Sequence, residues 1–128
     1  MSKCINKLYS RLLFYNQISD LAFSNYLTEK LYLHALSLKK YNTKIYKLLN
    51  ESIHKIPVEL YKDVSLLLGH YDLWLIQFTN LESTKMFELN EPFVFHQLDN
   101  QSSYPKASIT NILLYLENKI KNDKNNSN

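Results

Sequence analysis

The chain runs from Met1 to Ile56 without a glycine or a proline, and its full length holds one glycine and three prolines. Turns draw heavily on those two residues, so a chain this poor in them can make only a few long elements. A sandwich or barrel of short strands would need many more turn residues. Length agrees: 128 residues correspond to one domain, and 45% apolar side chains suffice for a core without disulfide or metal staples.

Apolar spacing makes the long elements helices. Ile5, Leu8, Leu12, Tyr15, Ile18 and Ala22 step by three or four and form one amphipathic stripe. A second stripe passes through Leu27, Leu31, His34 or Ala35, Leu38, Ile45, Leu48 or Leu49, Ser52 or Ile53, and Ile56. One helix over both would be about 78 Å long, with nothing left to cover it. A break is therefore required. Ser24-Asn25 is the expected place, because both residues compete with helical backbone bonds and cap helices well. Lys39 to Thr43, where the stripe thins, is the runner-up.

Pro57 suits the first turn of a third helix, and Glu59 and Asp63 favour its positive end. The 4,3 stripe Leu60, Val64, Leu67, Tyr71, Trp74, Phe78, Leu81 is the clearest periodic signal in the chain. From Ser83 to Tyr104 the period disappears among Asn, Pro, Asp and Ser, yet Phe93-Val94-Phe95 is too apolar for a free linker. This segment is expected against the bundle, anchored by Phe93 or Phe95. Pro105 then opens a last helix with Ile109, Ile112 or Leu113, Leu116 and Ile120 inward. The prediction is an all-α, up-and-down four-helix bundle over 5–23, 26–54, 58–82 and 105–122, with a long irregular crossover before the last helix. The bundle is one domain over 1–122, and 123–128 is a disordered polar tail.

Compartment and charge narrow the functional classes. Cys4 is the sole cysteine, so no internal disulfide forms and a reducing compartment is expected. No signal-peptide apolar region follows Lys3, Lys7 and Arg11, and no run approaches the roughly 20 apolar residues of a membrane span. A cytoplasmic protein with no membrane partner is expected. Residues 1–56 carry nine basic and three acidic side chains, against six and nine in residues 57–128. Such asymmetry can steer a partner or draw the two halves together.

The candidate sites are few. His70 and Trp74 are i,i+4 neighbours beside the third stripe and form a candidate ligand site; Asp72 points elsewhere on a helix and supplies no dyad. Gly69 is read as room for a neighbouring backbone. A helix-turn-helix turning at Gly69 is disfavoured, since the would-be reading helix has no lysine or arginine. Glu51-Ser-Ile-His54 matches half of a di-iron motif, but only one copy exists. No metal site and no cofactor are therefore expected, and one glycine allows no phosphate loop. Lys40, Lys44 and Lys47 share a face near Tyr41 and Tyr46, an arrangement that could bind nucleic acid weakly. The solvated face of a helix, with Lys47 and Glu51 paired, is the plainer reading, and Arg11 is the lone arginine. Cys4 lacks an activating base.

With no catalytic constellation, the leading expectation is a non-enzymatic interaction protein: an adaptor, inhibitor or regulatory subunit whose partner is another protein or a second copy. Phe87, Glu88, Glu91, Phe93 and Phe95 make an acidic-aromatic edge for such a partner, unless the phenylalanines close the core. The alternative is a ligand- or metal-binding bundle using His34, His54, His70 or His96; the second alternative is nucleic acid.

Overall fold

Four helices form where the stripes place them: α1 over Ser2–Thr28, α2 over Tyr32–Glu51, α3 over Tyr61–Glu82 and α4 over Lys106–Asn126. This computed structural model describes residues 2–95 and 104–126. His96 lies outside them. Two single 3-10 turns, Ile53–Lys55 and Val58–Leu60, carry the chain around Pro57. There is no strand among the described residues, only an isolated antiparallel bridge between Leu31 and Pro92.

Each helix buries the residues its stripe marks. Val64, Leu67, Tyr71, Trp74 and Phe78 of α3 are all buried, as are Ile109, Ile112 and Leu116 of α4. The helices form a ring of neighbours in which α1 and α3 each pack on both α2 and α4. Directions follow from side-chain bonds. The Tyr32 hydroxyl, at the start of α2, donates to Glu82 at the end of α3 across 2.5 Å. Tyr104 meets Tyr71, whereas Ser108 and Asn111 reach back to Asp63. Chain number therefore rises along α4 as it falls along α3, and neighbours alternate up and down.

Helix α4 begins only halfway along the bundle, and two cores result. In one half, four helices enclose Ile5, Leu8, Leu12, Ile45, Leu49, Val64, Leu67, Tyr71, Ile109, Ile112 and Leu116. In the other half only three helices are present among the described residues, and the segment 84–95 packs beside them. Phe93, with no exposed surface, fills that core beside Ala22, Tyr26, Ala35, Leu38, Trp74 and Phe78. Between the cores, Ser19 donates a buried 2.7 Å hydrogen bond to Asn42.

The segment 84–95 also closes the start of α2. No side chain caps that helix. Instead the Tyr32 and Leu33 N–H groups donate to the Glu91 and Leu89 carbonyls at 2.9 Å each, and Phe93 N–H returns a 2.8 Å bond to Lys30. These are donors that a helix start always leaves over.

Three expectations need correction. The first break falls at Glu29–Leu31 rather than Ser24-Asn25: Tyr26 is buried, its hydroxyl donates to the Phe93 carbonyl at 2.5 Å, and Glu29 N–H still bonds Asn25, so the helix continues past both capping residues. Leu27 consequently faces solvent. Helix α4 runs through Asn126, into the stretch read as a polar tail. Gly69 admits no neighbouring backbone, because a Cβ there would meet no atom within 4 Å.

Candidate functional site

The place where α4 starts leaves a cleft at mid-bundle. Helix α1 contributes Ser19, Asp20 and Phe23, α2 contributes Leu38 and Asn42, α3 contributes His70, Tyr71 and Trp74, and Tyr104 closes the side. Its volume is about 140 Å³. His70 and Trp74, paired in the sequence as a ligand site, thus share one wall. The His70 ring meets Tyr104 edge-on at 4.9 Å and Tyr71 at 5.5 Å. The two tyrosine hydroxyls share a hydrogen bond of 3.1 Å, and that of Tyr104 also approaches the Asn16 amide oxygen at 3.5 Å.

Partial burial sets the protonation of the cleft. Desolvation lowers the His70 pKa from its ordinary value and so favours the neutral imidazole at pH 7. Burial pushes the Tyr71 phenol well up, assisted by Tyr104 and by the Asp20 charge. Tyr104 is raised by burial too, opposed by its bond to Tyr71. Asp20, on the exposed rim, is raised by partial desolvation and drawn back by the charge of Lys106.

Five of these residues escaped the sequence reading: Ser19, Asp20, Phe23, Asn42 and Tyr104. Asn42 had a signal, since Leu38, Asn42, Ile45 and Leu49 keep a 4,3,4 spacing with a polar residue in a core position. Tyr104 had none, because its approach to Tyr71 depends on where α4 begins.

A second feature is the outer face of α3. Leu66, Leu73 and Ile76 are 50%, 58% and 52% exposed, and with Gly69 they form a stripe opposite the buried one. Lys62 and Asn80 lie at its ends, and Asp72 flanks it, exposed. Helix α3 is continuous through Gly69, so no helix-turn-helix forms there.

The remaining sequence candidates are dispersed. Phe93 is buried, while Phe87 and Phe95 are half-buried and packed on the same core; Phe87 meets Phe93 at 4.8 Å, and Phe95 meets Trp74 at 5.5 Å. The edge therefore presents Glu88 to solvent, and Glu91 pairs with Lys85, which lowers the Glu91 pKa. Lys40, Lys44 and Lys47 are exposed along α2, with Lys40 over Tyr41 and Lys44 over Tyr15 at 5.5 and 5.4 Å. Lys47 and Glu51 form no pair. His34 stands 3.9 Å from Glu29, His54 is exposed in its 3-10 turn, and His70 is in the cleft. Among the described residues no three His, Cys, Asp or Glu side chains cluster as metal ligands. No helix among them is long and apolar enough to cross a membrane. No family model, no curated protein and no solved structure matches this chain.

Proposed function

We propose that this is a non-enzymatic interaction protein whose contact surface is the outer face of α3. One observation carries the reading: α3 is apolar on the side facing the bundle and again on the side facing away. A helix of an isolated domain pairs its apolar stripe with a polar back. An apolar back is the mark of a surface that another chain covers.

The pattern fits a second copy of the chain. With two α3 helices antiparallel about a two-fold axis, Leu66 of one faces Ile76 of the other, and Leu73 faces Gly69. Each leucine then enters the space that the missing side chain leaves, in the isologous manner of two-fold dimers. Depletion of charge along the stripe supports such a core, with Lys62 at its rim.

Light scattering on the purified protein tests this. The wild type is expected to have the mass of a dimer at micromolar concentrations, and Leu73→Lys that of a monomer with unchanged helicity. A wild type that stays monomeric at the highest concentration reached removes the reading.

A further inference from the structure

The mid-bundle cleft has features that self-association through α3 does not use. It lies on the inner side of the molecule, against α1, α2 and Tyr104, while the apolar stripe of α3 faces outward. We propose that the cleft binds a small organic cation of the quaternary-ammonium class, with Phe23, Tyr71, Trp74 and Tyr104 as its walls and the Asp20 carboxylate as counter-charge.

Size comes first. An enclosed cavity of ~150 Å³ holds a single benzene ring, so about 140 Å³ here admits a group of that order, such as a trimethylammonium head. Charge comes second. Among the described residues Asp20 is the one formally charged residue in the lining, and an anion would meet it unfavourably. Lys106 reaches Asp20 by charge alone, without a hydrogen bond to it. His70 is held toward its neutral form and does not oppose a cation.

Hydrogen bonding then separates methylated from primary ammonium. A primary ammonium brings three donors that need acceptors. The cleft offers too few free ones: the Asn42 oxygen already accepts from Ser19 and the Tyr71 and Tyr104 hydroxyls share their own bond, which leaves chiefly the Asp20 carboxylate on the rim. A quaternary ammonium brings no donor and is held by ring faces and a nearby carboxylate. The Asn42 amide N–H groups, which have no partner among the described residues, remain for a hydroxyl or ether oxygen on the ligand's arm. Asn42 itself is 5% exposed and lines the cleft.

The experiment is calorimetric titration of the full chain with choline, with tetramethylammonium and with 3,3-dimethylbutan-1-ol, the uncharged counterpart of choline. Saturable binding of both cations is expected, with the neutral alcohol about tenfold weaker or worse. Asp20→Asn is expected to weaken choline about tenfold, and Lys106→Gln to strengthen it severalfold by removing a competing charge. Asp20 is exposed, so helicity should survive its replacement; should it not, Lys106→Gln carries the test alone. Absence of saturable cation binding, equal affinity for the neutral alcohol, or indifference to both variants overturns the proposal. None of these outcomes bears on the α3 surface, whose test is mass rather than ligand affinity.

Discussion

Gly69 lies in the middle of α3 with solvent on its side and no atom near where a Cβ would stand. Within one molecule its lack of a side chain serves no contact, so it retains only the entropic cost of glycine in a helix. Gly69→Ala should raise the stability of the monomer by about 1 kcal/mol in urea titration. If α3 pairs with a second copy, the same change should weaken the dimer, since the added methyl stands where Leu73 enters. Tyr32 gives a prediction in pH. Its bond to Glu82 pushes the phenol up to about 12. Below pH 10 both folded and unfolded chains hold that proton, and the contribution is complete. Between pH 10 and about 12 the unfolded chain has released it while the folded chain keeps it, so stability falls as pH rises. Tyr32→Phe should flatten this alkaline loss in thermal melts, leaving the part due to Tyr26, Tyr71 and Tyr104, whose pKa values are raised in the same direction.

At the scale of elements, the segment 84–95 packs beside three helices in one half of the bundle. Phe93→Ala should cost about 3–5 kcal/mol, the range for emptying a large aromatic from a core, and the half-buried Phe87 and Phe95 should each cost less. Chemical denaturation of the three variants checks the order; equal small losses would mean that the segment does not hold that core. Periodicity made the inner faces of α3 and α4 legible residue by residue, because a 3.6-residue repeat is written locally. The α1–α2 boundary was not, because Tyr26 and Leu31 are fixed by Phe93 and Pro92, more than sixty residues away. A capping residue such as Asn25 states a preference worth about 1 kcal/mol, and a buried tyrosine with a hydrogen bond outweighs it. The cleft was half legible for the same reason. His70 and Trp74 are neighbours on one helix, whereas Asp20, Asn42 and Tyr104 reach them only through tertiary structure.

At the scale of the whole molecule, an apolar back on α3 links stability to concentration. A dimer stabilises its folded state by mass action. The melting temperature of the wild type should therefore climb with protein concentration, and that of Leu73→Lys should not; differential scanning calorimetry over a wide dilution series measures both. The bond pattern at the start of α2 reaches further, to the order in which the molecule is made. During synthesis α1 and α2 emerge first, yet the carbonyls that complete the first turn of α2 belong to Leu89 and Glu91. The nascent chain must carry that turn unfinished until some forty residues after the last residue of α2 have been added. A pause or a truncation before Phe93 would therefore release three amphipathic helices with one half of their inner faces uncovered, the form of this protein most in need of a chaperone.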